Sequence, residues 1–120
     1  MEKEFVSYEM ALALKELGFN EPCYDNYNIY GKLWGLRLNK QVKIKGACLA
    51  PTFSQAFRFF REKYKLPSWV YTSDNEKFYY GILRDTRFLI DGNKPYETYE
   101  EAELACLLKL IEVVILAQKK

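Results

Sequence analysis

Histidine is absent from the 120-residue chain, and this absence excludes several kinds of chemistry. Ser-His and Cys-His nucleophiles, histidine general bases and most transition-metal sites all require an imidazole. The three cysteines, Cys23, Cys48 and Cys106, are far apart in the sequence, and no Cys-x-x-Cys pair occurs. We therefore expect no disulfide framework, no zinc site and no cofactor. Cys48 and Cys106 are interpreted as small core residues.

Long apolar runs are missing as well. The chain opens with the charged residues 2–4, which do not resemble the start of a signal peptide. The apolar run Leu104–Ala117 is interrupted by Lys109 and Glu112, and it is too short to span a bilayer. These features predict a cytoplasmic protein with no membrane partner.

Catalytic motifs are equally scarce. No phosphate-binding loop, dinucleotide fingerprint or calcium-binding loop occurs. The acidic cluster Glu97–Glu103 lies at the start of a predicted helix, where capping and the helix dipole account for it. General acid–base catalysis needs two carboxyl groups in one cleft, and no spacing in the chain indicates such a pair. The sequence therefore predicts a non-enzymatic protein.

The chain does contain three strong helix patterns, which run Ser7–Leu17, Thr52–Lys65 and Thr98–Gln118. Each opens with a hydroxyl residue that can cap the helix. The second and third also have Gln or Glu three residues later, which completes a capping box. With an aromatic content of 17%, the chain is expected to form one ordered domain, residues 1–120.

Alternating apolar residues between the helices predict six strands. They are Cys23–Tyr27, Lys32–Leu38, Val42–Lys45, Trp69–Thr72, Lys77–Arg84 and Thr86–Ile90. The predicted order is α-βββ-α-βββ-α, an α+β fold with antiparallel sheets. Lys77–Arg84 has apolar residues on both faces, which predicts a central strand covered on both sides.

A short pattern recurs at the start of each helix. A capping hydroxyl, an aromatic, two variable residues and Ala occupy positions 7–11, 52–56 and 98–102. This recurrence favours an internal βββα repeat with units 20–65 and 66–118. The alternative is that any amphipathic helix with a hydroxyl cap and an early aromatic shares the pattern.

The third helix carries two apolar stripes, whereas an ordinary surface helix has one. The first consists of Tyr99, Ala102, Cys106, Leu110, Val113 and Ala117, and the second of Leu104, Leu108, Ile111 and Ile115. We expect one stripe to pack on its own sheet and the other on the first or second helix. The alternative is that the second stripe forms a partner interface or a homodimer interface.

Charge is unevenly distributed, and this is the clearest functional lead. The stretch Lys32–Lys65 holds nine basic residues and one acid, for a net charge of +8 against +2 for the whole chain. The candidate binding residues are Lys32, Trp34, Arg37, Lys40, Lys43, Lys45, Arg58, Phe59, Arg61 and Lys65. Phe59 falls off the apolar stripe of its helix and is expected to be exposed.

Three interpretations of this basic stretch stay open. A basic face with interspersed aromatic rings fits a nucleic-acid backbone and its bases. It fits an acidic protein surface equally well. The plainest interpretation is that the lysines lie on strand edges and prevent these edges from pairing with other chains.

Three stretches, SYEMALALKELGF (7–19), CLAPTF (48–53) and YETYEEAE (96–103), together with residues 55–58 and 60–64, cover the helices. In them the chain resembles small uncharacterised proteins of bacteriophages and prophages of gut-type bacteria. The resemblance implies a phage-type accessory gene and brings no catalytic residue with it. The last unit, in which strands lead into TYEEA, is also similar to HicB-type antitoxin domains.

The resemblance and the lack of catalytic residues together predict a phage-derived binding protein in the cytoplasm of a bacterial host. Its expected partner is a host or defence-system protein, which it masks or inhibits as inhibitors of CRISPR effectors do. One alternative is a nucleic-acid-binding accessory protein that uses the basic face Lys32–Lys65. The other is a HicB-like antitoxin domain.

Overall fold

The computed structural model describes residues 4–72, 76–84, 88–91 and 94–119. The elements in these residues are α1 (Tyr8–Glu16), β1 (Asn26–Tyr27), β2 (Cys48–Leu49), α2 (Phe53–Lys63), β3 (Ser68–Thr72), β4 (Phe78–Arg84), β5 (Phe88–Asp91) and α3 (Tyr99–Gln118). Three helices and two antiparallel sheets within this part of the chain confirm the predicted α+β class. None of the described helices is long and apolar enough to cross a membrane.

The chain divides into two compact units, Met1–Ala56 and Phe57–Lys120. In the first unit, α1 packs on the two-stranded sheet of β1 and β2. Ser7 Oγ caps α1 by accepting a hydrogen bond from the Met10 N–H at 3.3 Å. Leu14 of α1 and Leu49 of β2 are fully buried, so the core of this unit lies between the helix and the sheet.

The first sheet is much shorter than predicted. β1 and β2 pair over two residues each, and the predicted strand Val42–Lys45 is an irregular segment with bends and a turn. Isolated bridges, from Cys23 to Leu38 and from Tyr27 to Leu33, join parts of the other two predicted strands. The sheet is short because several backbone N–H groups in this region donate hydrogen bonds to polar side chains rather than to a neighbouring strand.

In the second unit, α3 packs on one face of the sheet, whose strand order is β3-β4-β5. β4 is the central strand, as predicted, and its Tyr80 and Ile82 are buried. The N-cap of α3 is Thr98, whose Oγ1 accepts a hydrogen bond from the Glu101 N–H at 3.1 Å. The predicted strand Thr86–Ile90 corresponds to β5, although its first two residues lie outside the described part of the chain.

Aromatic side chains of the sheet itself line the face opposite α3. The Tyr71 and Tyr79 rings stack with their centroids 5.5 Å apart. Trp69 lies across Gly81, where an added Cβ atom would be 2.7 Å from Trp69 Cζ2. Trp69 and Tyr71 stay partly exposed. The predicted cover on the second side of β4 therefore includes side chains of the neighbouring strand.

Candidate binding surface

The irregular segment between β1 and β2, residues 28–46, is the candidate binding surface and is called the loop 28–46. It contains five basic residues and no acid, so its net charge is +5. The basic residues, all exposed, are Lys32, Arg37, Lys40, Lys43 and Lys45. Five of the eight predicted basic candidates therefore lie on one continuous segment of the first unit.

Large apolar side chains are exposed along the same loop. Trp34, a predicted candidate, is 59% exposed, and Tyr30 is more exposed still, at 79%. The aliphatic residues Ile29, Leu36 and Ile44 are also exposed. Trp34 was predicted as a binding candidate, whereas Tyr30 and the three aliphatic residues were not, and Leu36 and Ile44 lie in segments that were predicted as strands.

Polar side chains fix the backbone of the loop. Asn28 Oδ1 accepts hydrogen bonds from the Tyr30 N–H at 2.9 Å and the Lys32 N–H at 3.2 Å. Asp25 Oδ1 accepts from the Gly35 N–H at 2.7 Å. Asn and Asp side chains favour turns for this reason, because they offer backbone N–H groups an acceptor outside a strand ladder.

Two residues of α1 bind the far end of the loop. The Tyr8 hydroxyl donates to the Gly46 carbonyl at 2.6 Å. Lys15 Nζ donates to the carbonyls of Ile44 and Ala47 at 3.1 and 2.7 Å. Neither residue was among the predicted candidates, since nothing in a helix pattern shows which distant carbonyl a side chain reaches.

The Tyr8 ring also supports the near end of the loop. Gly31 has a φ of +76°, and an added Cβ atom would lie 2.9 Å from Tyr8 Cδ2. The ring makes an edge contact with Tyr27, with centroids 5.5 Å apart. Tyr8 therefore contacts the loop at both Gly31 and Gly46.

One cation of the loop lies against an aromatic ring. The Arg37 guanidinium carbon is 5.2 Å from the centroid of the exposed Tyr24 ring. Such cation–π pairs contribute about 0.5–1 kcal/mol at exposed sites. The contact positions Arg37 and adds Tyr24 to the exposed aromatic side chains beside the loop.

The remaining basic candidates, Arg58, Arg61 and Lys65, belong to the second unit and are exposed there. That all the basic candidates form one face stays a prediction. The expectation that Phe59 is exposed is wrong, because it is 5% exposed and contacts Phe60 and Tyr64 with ring centroids 5.3 and 5.6 Å away. The helix buries a wider face than its single apolar stripe indicated.

The second stripe of α3 is largely exposed. Leu104, Leu108 and Ile115 are 42%, 51% and 37% exposed, whereas Ile111 is 8% exposed. The expectation that this stripe packs on another helix of the chain is therefore wrong for three of its four residues. The buried face of α3 consists of Ala102, Cys106, Leu107, Leu110, Ile111 and Val114.

The cysteines offer little chemistry. All three are buried, as predicted for Cys48 and Cys106. Burial raises the pKa of the Cys23 thiol to about 12 and the pKa values of the Cys48 and Cys106 thiols to about 11. Among the described residues, no group of three potential ligands is placed to hold a metal ion.

Comparisons with family models, with curated proteins and with solved structures find no match to this chain.

Proposed function

We propose that this protein is a non-catalytic, phage-type binding protein that masks an acidic surface of a host or defence-system protein through the loop 28–46. The observation that carries the proposal is the exposed surface of the loop, where five cations and no acid accompany aromatic and aliphatic side chains. Complementary charge speeds encounter and rejects wrong partners. Trp, Tyr and Arg side chains supply much of the energy of protein interfaces.

Three aliphatic side chains favour a protein partner over a nucleic acid. Ile29, Leu36 and Ile44 are exposed, and aliphatic side chains cannot stack on bases as aromatic rings do. Nucleic-acid interfaces are also more polar and wetter than protein interfaces. Burial against an apolar protein surface contributes about 1.5–3 kcal/mol for a fully covered side chain of this size.

The fixed conformation of the loop supports the same function. Ordering a flexible loop on binding costs free energy and weakens the complex. Here Asn28, Asp25, Tyr8 and Lys15 hold the backbone through side-chain hydrogen bonds. Most of the free-energy cost of ordering the loop backbone therefore arises when the chain folds and not when it binds. The exposed side chains can then bind as a preformed surface.

A pull-down from bacterial lysate, with identification by mass spectrometry, tests the proposal. We expect the wild-type chain to recover one protein with an acidic surface, and Trp34→Ala and Arg37→Glu to lose it. Arg84→Glu is the matched control, because it makes the same charge change at an exposed arginine outside the loop. Recovery of no specific protein, or equal recovery by the loop variants, contradicts the proposal.

Nucleic-acid binding is the second candidate, supported by the exposed Tyr30 and Trp34 rings beside lysines. Fluorescence anisotropy with single-stranded DNA and RNA tests it across a series of salt concentrations. If the five cations of the loop contact phosphates, the slope of log affinity against log salt should be about −3.5. Charge reversal at Arg58 and Arg61 should weaken binding if they share the face. A flat salt response, or no binding, excludes this function.

A further inference from the structure

The second stripe of α3, which is exposed at Leu104, Leu108 and Ile115 and buried at Ile111, has the spacing of a helix-pairing seam. Leu104, Leu108, Ile111 and Ile115, which we call the α3 seam, are separated by four, three and four residues. These are the spacings of the a and d positions in a coiled-coil heptad. The helix has 20 residues, so it is about 30 Å long, and the seam occupies its central turns.

Charges at the two ends of the seam determine which orientation a second α3 would take. Glu101 lies about one turn before Leu104, Lys119 lies about one turn after Ile115, and both are exposed. In an antiparallel pair, Glu101 of one copy lies near Lys119 of the other. In a parallel pair, like charges lie side by side. Antiparallel helices also oppose their dipoles favourably.

We propose that the α3 seam binds the same seam of a second copy of this chain, in an antiparallel dimer with two-fold symmetry. The seam is self-complementary in this arrangement. Leu104 of one copy faces Ile115 of the other, and Leu108 lies opposite Ile111, which is only 8% exposed at the edge of the buried face. Both layers are centred midway between residues 109 and 110. Such a patch meets the requirement of an isologous interface, in which the same surface serves both subunits.

The dimer and the proposed function depend on different parts of the chain. The loop 28–46 lies in the first unit, and the α3 seam lies in the second. Loss of partner binding in loop variants leaves the dimer unaffected, and loss of the dimer in seam variants is measured without a partner. Either conclusion can therefore fail while the other holds.

Sedimentation velocity of the full chain, from micromolar to millimolar concentrations, tests the pairing. We expect a wild-type dimer and a Leu108→Glu variant that is monomeric over the same range, with a dissociation constant raised at least about tenfold. Leu116→Glu is the matched control, because Leu116 is equally exposed at 53% but lies off the seam. Circular dichroism confirms that each variant is folded.

Three results overturn the pairing: a wild-type chain that is monomeric throughout, a dimer that survives Leu108→Glu, or equal loss of the dimer in the Leu116→Glu control. If Leu108→Glu unfolds the protein, the milder Leu104→Gln makes the same comparison. A folded Leu104→Gln variant with an unchanged dissociation constant also overturns it.

Two further variants of the seam test its orientation. Because the native thiols are buried, new surface cysteines report on the interface alone. We expect a covalent dimer when Leu104→Cys and Ile115→Cys proteins are mixed and oxidised. A covalent dimer from Leu104→Cys alone indicates a parallel pair and overturns the orientation, and no cross-link in either case overturns the seam.

Charge exchange at the ends of the seam gives an independent readout of orientation. Glu101→Lys and Lys119→Glu should each weaken the antiparallel dimer, and the double variant should restore it. In a parallel dimer each position faces the same position of the other copy, so like charges are opposed in the wild type and in every variant. The double variant should then bind no more tightly than the single variants. The absence of restoration therefore counts against the antiparallel arrangement.

Discussion

Replacing Gly31 with alanine tests whether α1 fixes the loop 28–46. Gly31 has a φ of +76°, a left-handed conformation that costs an L-residue about 1–2 kcal/mol. The new Cβ atom would lie 2.9 Å from Tyr8 Cδ2, on a ring whose hydroxyl is bound to Gly46. Overpacking of this kind costs about 1–3 kcal/mol. Alanine also leaves the unfolded chain less conformational freedom than glycine does, which reduces the loss of stability by about 0.4–1 kcal/mol. We expect the free energy of unfolding to fall by roughly 2–4 kcal/mol.

Gly35→Ala is the matched control for this variant. Gly35 has a φ of +74°, nearly the same as Gly31, but nothing lies within 4 Å of its added Cβ atom. Only the cost of the left-handed backbone and the gain from a more restricted unfolded chain apply here. We therefore expect the free energy of unfolding to fall by roughly 0.5–1 kcal/mol. Urea unfolding monitored by circular dichroism measures both values. Equal losses in the two variants would refute the argument that the Tyr8 ring supports the loop.

Three further predictions concern the rest of the chain. Gly81→Ala should lower the free energy of unfolding by about 1–3 kcal/mol, because its Cβ atom meets Trp69 Cζ2 at 2.7 Å, and the loss should shrink in a Trp69→Ala background. Thr98→Ala should cost about 1 kcal/mol in thermal or urea unfolding through loss of the α3 cap, whereas Thr98→Ser should cost almost nothing. The three thiols should resist a thiol reagent at pH 8 in the folded protein and all react after denaturation. Because their folded pKa values of about 11 to 12 exceed the ordinary value of 9.0, stability should fall as pH rises from about 9 towards 12, and a flat profile would contradict this.

Helix starts could be predicted from the sequence because their signals are local. Thr52 and Gln55 exchange both hydrogen bonds of a capping box, at 3.0 and 3.2 Å, as their three-residue spacing indicated. At α3 the Thr98 hydroxyl accepts from the Glu101 N–H, as predicted for the cap. A cap depends on a side chain and a backbone group within one helical turn, so no information about the rest of the fold is needed.

The loop 28–46 could not be predicted in the same way. Its alternating lysines and apolar residues satisfy the pattern of a half-buried strand. Which face is buried depends on whether a partner strand is present, and Tyr8 and Lys15 of α1 bind the loop backbone across more than 25 residues of sequence instead. The exposed Ile29 and Ile44 follow from these long-range contacts, and so does the candidate binding surface.

Phe59 shows a second limit of periodicity. The helical period gives the position of each side chain of α2 around the helix axis. It does not indicate how much of the circumference of the helix is covered, because that depends on the neighbouring elements. Phe59 and Phe60 point in different directions, and both are buried. Because the buried face of α2 is wide, Phe59 belongs to the core and not to the binding surface on which the sequence had placed it.

The two stripes of α3 show why composition matters as well as period. Both stripes fit a helix, so spacing alone cannot decide which one faces the sheet. The buried face of α3 takes the small residues Ala102 and Cys106 from the first stripe, and these let the helix backbone approach the sheet closely. It also includes Ile111 of the second stripe, whereas Tyr99 of the first stripe is 46% exposed. The exposed members of the second stripe, Leu104, Leu108 and Ile115, are all Leu or Ile, the residues that fill the a and d layers between two helices. The small residues thus lie at the contact between α3 and the sheet. The exposed Leu and Ile side chains suit contact with a second helix, as the proposed dimer requires.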